Sequence, residues 1–288
     1  MARSASKPEF ELADPTQVYD SAAPQRIIIT QVKGIYERRS LLRLLIERDL
    51  TVRYKRSIIG VWWSLLNPLI TTAVFFYVFN TVFKQKMSHG TLFLPYLLSG
   101  ILCMTFFSQS MTMAADSIAQ NASILTKVYV RPEVFALSST IANAINFLFG
   151  LVPLTIVLVA LGKAPGIQAP LVLIFMLCMV LFTTGLGLLL AIAYINFDDV
   201  RSVLVILLML FQYMTPVFYP LSALGPHTQS VIKLNPLTSF LEVFRTIYGN
   251  NGSASINNWL MMIGTAIVTF LFSFYLFQKK WAKLVAKL

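Results

Sequence analysis

The sequence predicts an all-α integral membrane protein. It has six membrane-spanning helices, an N-terminal helix lying in the cytoplasmic interface, and a re-entrant hairpin between helices five and six. Three observations lead there. Of 288 residues, 57% are hydrophobic and 12% charged, against roughly 25% charged in soluble domains. Runs free of Asp, Glu, Lys and Arg, such as Ser57 to Phe83 and Leu92 to Ala115, exceed the about 20 apolar residues that cross a bilayer's hydrocarbon core. Lys and Arg gather in the polar stretches between and beside these runs, and their distribution sets an orientation.

Residues 1–34 are polar, carry Pro8, Pro15 and Pro24, and are expected to be an extension that is mobile or ordered by a partner. They lack the apolar core of a signal peptide, so no cleavage is expected. The transmembrane domain is assigned to 35–288. Its first part, 35–56, holds good helix formers without Gly or Pro, with Leu41, Leu44, Leu45 and Val52 near one face and Arg48 and Asp49 blurring that stripe. This mixture suits a helix lying in the interface with its cations snorkelling toward headgroups.

Spans follow at about 58–83, 92–115, 134–162, 170–195, 200–218 and 259–277. Lys84 and Lys86 fall in the first external loop, and Lys163 and Pro165 in a short loop between spans three and four. Asp116 to Glu133 is polar and returns to the cytoplasm, as does the turn at Asp198, Asp199 and Arg201. Between spans five and six, the apolar stretch Leu234 to Tyr248 is broken by Pro236 and contains Glu242 and Arg245. It is too interrupted to span, and a hairpin dipping into the outer leaflet is expected, packed against protein. Eleven Lys and Arg precede span one and four follow span six, which places both termini in the cytoplasm.

The net charge of +11 does not point to nucleic acid, because the basic residues flank apolar segments at the two ends; topology and anionic lipid account for them. Cys103 and Cys178 lie inside spans and read as small buried hydrophobes. The lone Gly162-Lys163 pair is followed by Ala164, so no phosphate-binding loop of the GxxxxGK[ST] type is present, and the chain is not expected to hydrolyse nucleotide by itself. His89 and His227 have no neighbours at metal-ligand spacing. Without charged residues in the spans, a proton or ion pathway is disfavoured. Any transport must then draw its energy from another chain.

The spans do carry aromatic and small polar side chains. Phe75, Phe76 and Phe79 in span one, and Tyr213, Phe218 and Tyr219 around the end of span five, are candidates for contact with sugar rings or, equally, packing and interfacial anchors. Arg48, Arg53, Lys55 and Arg56 are candidates to receive a phosphate group at the inner surface. As plain topology and headgroup residues they need no ligand, and the residues alone leave both readings open. Glu242 and Arg245, three apart, are expected to pair locally. Asp198, Asp199 and Arg201 are expected to form a solvated turn. Gly187 and Ala191 make one small-xxx-small pair suited to close helix packing.

Several stretches together resemble the membrane-spanning subunit of ABC-2 exporters of lipid-linked polysaccharide, the group of O-antigen, capsule, galactan and teichoic acid exporters. They are Arg48-Asp49-Leu50 with Arg53-Tyr54-Lys55, Ser57, Gly60, Trp63, Leu66 and Pro68; KVYVRPEVFAL from Lys127; VRSVLVILLMLFQYMTPVFYP from Val200; LNPL from Leu234; and EVFR from Glu242. The resemblance covers most of residues 40–280. It implies a homodimer bound to two copies of a separate ATPase subunit, which holds ATP and Mg, while this chain binds no cofactor. It implies a bacterial cytoplasmic membrane, membrane lipid as surroundings and a lipid-linked glycan as substrate. Residues 116–133 would supply the coupling helix to the ATPase, with Asn121, Leu125, Lys127, Tyr129 and Arg131 as its contacts, and spans one and five would line the path. An ABC-2 exporter of drugs or small lipids is the runner-up, and a non-transporting membrane scaffold the reading from another class.

Overall fold

A computed structural model describes residues 39–55, 57, 60, 62–82, 93–125, 130–163, 165–197, 199–249 and 254–285, nearly all of them in one unit, Ser40–Leu288. The described residues are helical without strands. The long helices are α1 (Arg39–Tyr54), α2 (Trp62–Tyr77, continued by a π-helical turn Val78–Val82), α3 (Phe93–Gln120), α5 (Glu133–Ala160), α6 (Val172–Asn196), α7 (Val200–Met214) and α10 (Ile256–Val285). Between them lie the short helices α4 (Ala122–Leu125) and α8 (Pro226–Lys233), and the 14-residue α9 (Pro236–Gly249). The extension 1–34, Lys84, Lys86, His89 and Asp198 lie outside the described residues.

Among the described residues, five helices are long and apolar enough to cross a membrane: Trp62–Thr81, Phe93–Gln120, Glu133–Ala160, Ala169–Asn196 and Ile256–Trp281. The segment expected as span five is shorter than predicted. α7 has 15 residues, a rise of ~22 Å against a hydrocarbon core of about 30 Å. It stops at Met214 because Pro216 forces the preceding residue out of helical geometry, and Thr215 is extended at φ −95° and ψ 139°. Even so, Arg201 at its start pairs with Asp116 at 3.0 Å, and Pro216 beyond its end accepts from Tyr96 Oη at 3.0 Å. α7 with its extended exit therefore runs between the levels that Asp116 and Tyr96 mark on α3.

The predicted start of span one at 58 shifts to Trp62 because a turn intervenes. Gly60 takes φ +56°, a conformation other residues avoid, and its N–H donates to Ser57 Oγ at 2.9 Å. The expected polar loop from 116 is a second difference. α3 continues to Gln120, since Asp116 finds its partner in Arg201 and needs no turn to reach one. α10 likewise outruns its predicted end at 277, carrying its helix through the lysines to Val285.

The bundle centres on α3 and α6, with α5 and α10 packed along them. Close approach is made possible by two glycines on opposite faces of α6. A Cβ on Gly187 would fall 2.3 Å from Ala114 Cβ on α3, and one on Gly185 2.9 Å from Phe270 Cα on α10. Each Gly costs a helix about 1 kcal/mol relative to Ala, a loss offset by the backbone contacts it permits. A column of rings fills the rest of the centre: Phe106 on Phe147 at 4.9 Å, Phe147 on Phe244 at 5.3 Å, Phe175 on Phe244 at 5.0 Å and Phe182 on Phe240 at 5.2 Å between centroids. Offset ring pairs of this kind add about 0.5–1.5 kcal/mol each beyond area burial. They hold α9 against α5 and α6, and α5 against α3. Cys103 and Cys178 are free and buried in this core.

α9 begins where LNPL predicts a break. Asn235 Oδ1 accepts from the Leu237 N–H at 3.1 Å, capping the helix, and Pro236 occupies the first helical position, where its missing N–H costs nothing. Its apolar face of Leu237, Phe240, Leu241, Phe244 and Ile247 is buried.

Candidate functional site

Where α1 meets the bundle, the basic candidates Arg48, Arg53 and Lys55 part company. Successive helical residues are rotated by about 100°, and the side chains follow. Arg48 pairs with Asp49 at 2.9 Å and donates to Asn121 Oδ1 at 2.8 Å, tying α1 to the turn between α3 and α4. Arg53 points inward and donates to Asn143 Oδ1 on α5 at 2.8 Å. Lys55 is exposed, and Arg56 lies outside the described residues. Tyr54, beside Arg53, donates its hydroxyl to Asn146 Oδ1 at 2.6 Å.

Arg53 and Tyr54 form one wall of a cavity of about 690 Å³ enclosed by α1, α2, α3 and α5. Ligand pockets run from about 300 to 1,000 Å³. Its floor is Asn143 and Asn146 with the rings of Phe106 and Phe147; Ser64, Asn67 and Pro68 of α2 and Thr105 and Gln109 of α3 complete it. Asn67, Gln109 and Trp63 are exposed and stand at its mouth. Among the described residues, Arg53 is the one charged side chain in this lining. Asn146 is buried, and its Nδ2 has no partner. A buried amide normally finds partners for its polar atoms, and Nδ2 is an unsatisfied polar atom within this lining residue.

Sequence reasoning missed the amides of this cavity because it searched the spans for charges. Their signal was present: Asn67, Gln109, Asn143 and Asn146 are large polar side chains inside apolar helices, and Asn143 and Asn146 sit one turn apart on one face.

The aromatic candidates do come together, at the other end of α2. Phe75 meets Phe218 at 4.6 Å, Phe79 meets Phe218 at 6.4 Å, Tyr213 meets Phe218 at 6.0 Å, and Phe76 meets Phe93 at 6.1 Å. Tyr219 donates its hydroxyl to the Tyr213 carbonyl at 2.8 Å. Phe218 is buried at the centre of this group, whereas Tyr213 is 55% exposed. The first packs; the second presents a ring face.

Of the candidate coupling residues, Asn121 is buried and bound by Arg48, while Leu125 and Arg131 are half-buried. Lys127 and Tyr129 lie outside the described residues. Two further ties flank this segment: Arg201 with Asp116, and Gln278, which donates to Glu133 Oε1 at 3.1 Å. Arg201, expected in a solvated turn, is thus anchored to α3. Glu242 and Arg245 pair at 3.6 Å as expected, but Arg245 is 4% exposed and engages far more than Glu242.

Five helices of spanning length with a polar cavity among them define a multi-pass membrane protein. Comparison with known proteins gives its family. Residues 40–249 match the family of ABC-2 type transporters, and the chain belongs to it. It is similar to the O-antigen export system permease protein RfbA of Myxococcus xanthus, 31% identical over 77% of this chain and 85% of that one. It is also similar to the RfbA protein of Klebsiella pneumoniae, 26% identical over 83% of this chain and 91% of the relative. The capsule polysaccharide export inner-membrane protein CtrC of Neisseria meningitidis is 26% identical over 80% and 91%.

Proposed function

We propose that this chain is the membrane-spanning subunit of an ATP-driven exporter of lipid-linked polysaccharide, of O-antigen or related type, in a bacterial cytoplasmic membrane. The observation that carries this reading is its likeness, over more than three quarters of its length, to permeases named for export of O-antigen and capsule polysaccharide.

In this reading α7 is the sixth span, α8 and α9 form the hairpin re-entering the outer leaflet, α1 lies in the cytoplasmic interface, and both termini are cytoplasmic. The apolar side chains that α2 and α7 leave exposed, among them Ile70, Val74, Val205 and Met209, support a second copy of the chain with the path between the two. Two copies of a separate ATPase hold ATP and Mg. Their closure acts on the segment 116–133 through Asn121, Leu125, Lys127, Tyr129 and Arg131.

Arg48 passes that motion to α1. Arg53, with Lys55 and Arg56 beside it, receives the phosphate of the carrier lipid, because a guanidinium binds such oxygens with charge-assisted hydrogen bonds. Tyr213 and Tyr219, with Phe75, Phe76, Phe79 and Phe218 behind them, give the glycan aromatic faces that it slides past without tight binding.

The test is ATP hydrolysis by the complex of this chain with its ATPase in nanodiscs, with and without lipid-linked glycan. Stimulation by the glycan is expected. Stimulation by small amphiphiles instead would move the reading to an exporter of drugs or small lipids, and the lack of any ATPase partner would leave a scaffold.

A further inference from the structure

We infer that the cavity between α1, α2, α3 and α5 is a saccharide subsite, which holds the hydroxyl-rich sugar next to the phosphate of the lipid-linked substrate. This rests on the exporter reading and adds to it a place where the sugar itself is recognised.

The chemistry of the lining carries the inference. An anion site would be expected to gather several cations, yet among the described residues of the lining Arg53 is the one that is charged, and it already gives one N–H to Asn143. The remaining polar groups are neutral amides and hydroxyls, which both donate and accept. Sugar hydroxyls have the same double capacity, so a hexose is matched to Asn67, Gln109 and Asn146 in a way that a second phosphate, an acceptor alone, is not. The ring of Trp63, half exposed at the mouth, borders these amides and suits the C–H face of a pyranose.

The second observation is the cost of leaving these groups empty-handed. Asn146 Nδ2 is buried without a partner, and an unpaired buried amide group costs on the order of 1–3 kcal/mol. Gln109 and Asn67, whose Oδ1 accepts from Thr71 Oγ1 at 3.5 Å, are exposed on helices of spanning length, where hydrocarbon offers no partner for their remaining polar groups. A polar guest at the cavity mouth pairs with Asn67 and Gln109, and one that reaches the floor meets the Asn146 amide. Arg53, at the α1 wall, then meets the phosphate attached to that sugar, which fixes the sugar's position along the cavity.

The test is equilibrium binding of two radiolabelled probes, farnesyl diphosphate and its glucose ester, to the nanodisc-embedded protein with and without its ATPase. The glucose ester is expected to bind at least about tenfold more tightly, the worth of one or two retained hydrogen bonds. Asn146→Leu is expected to bring that ratio close to one. Should Asn146→Leu fail to fold, the exposed pair Asn67→Leu with Gln109→Leu serves the same purpose. Arg53→Gln is expected to weaken both probes together and to leave their ratio intact.

Equal binding of both probes by the unaltered protein would overturn the subsite. So would a ratio that survives loss of the amides, or a glucose preference abolished by phosphatidylglycerol at the level of an ordinary lipid headgroup. In those cases glycan-stimulated ATP hydrolysis would still stand, and the exporter reading with it. Preference for the glucose ester without any glycan-stimulated hydrolysis would instead retain the site and remove the exporter.

Discussion

The Arg245 guanidinium carbon lies 3.4 Å from the centroid of the Tyr96 ring, and its nitrogens donate to the carbonyls of Tyr96 at 3.2 Å, Pro216 at 2.9 Å and Val217 at 3.3 Å. One buried side chain thus joins α9, α3 and the extended exit of α7. The exit needs it, since a chain that leaves helical geometry exposes carbonyls that the helix would have satisfied. Gly100 makes room, as a Cβ there would meet Arg245 Nη2 at 2.9 Å and Val217 at 3.0 Å. Replacing Arg245 by Met is expected to cost about 3 kcal/mol or more, because several carbonyls lose their donor together. Lys is not expected to rescue it, as a point ammonium cannot match the planar fork. Thermal unfolding of the detergent-solubilised protein checks both; an Arg245→Lys midpoint equal to that of the unaltered chain would contradict the anchor.

The α3 to α6 contact offers a sharper structural test. Gly187→Ala places a methyl 2.3 Å from Ala114 Cβ, and overpacking of this order costs about 1–3 kcal/mol. Ala114→Gly removes the opposing methyl and is expected to restore most of the loss in the double variant. Unfolding midpoints of the two single variants and the pair measure the coupling directly.

Much of this fold was legible in the sequence, because the bilayer imposes lengths that charge-free runs reveal. α3, α5 and α6 start within two residues of their expected positions, at Phe93, Glu133 and Val172. Two of the exceptions share a cause in side-chain partners distant in sequence. Asp116 read as the start of a loop, but Arg201 lets it remain helical. Glu242 and Arg245 read as a local pair, although Arg245 is held chiefly by residues near 96 and 216. The candidate site divided in the same way. Arg48 and Arg53 looked like one cluster along the sequence, whereas helical rotation sends them to different partners, and the amides that face Arg53 come from a helix about ninety residues away.

The aromatic group at Phe218 separates packing from contact with substrate. Phe218→Ala empties a site that is 5% exposed and is expected to lose about 3–5 kcal/mol of stability. Tyr213→Ala, at a half-exposed ring, is expected to leave the unfolding midpoint within about 0.5 kcal/mol and to slow glycan export several-fold. Export measured in cells alongside unfolding of the purified protein distinguishes the two. Unchanged flux in Tyr213→Ala would remove that ring from the path.

Asn121 joins α1 to the turn that follows α3. Its Oδ1 receives Arg48, and its Nδ2 donates to Ser117 O at 2.7 Å. Asn121→Leu keeps a side chain of similar size but offers Arg48 no acceptor. The ATPase is expected to copurify in unchanged amount and to hydrolyse ATP at its basal rate, while glycan export per ATP falls several-fold. A drop in ATPase copurification instead would make Asn121 a docking residue.

Crossing by α7 decides the topology of the whole chain. With five spans the two termini would lie on opposite sides of the membrane; with α7 as a sixth they lie together, as the basic residues at both ends favour. Ser202 near the start of α7 and Ser222 beyond its end are both exposed, and the native Cys103 and Cys178 are buried, so single cysteines report cleanly. A membrane-impermeant maleimide is expected to label Ser222→Cys in intact cells and Ser202→Cys after the membrane is opened. Labelling of both from the same side would show that α7 does not cross, and would place the α8 and α9 hairpin on the cytoplasmic face, away from the outer leaflet to which its apolar packing has been assigned.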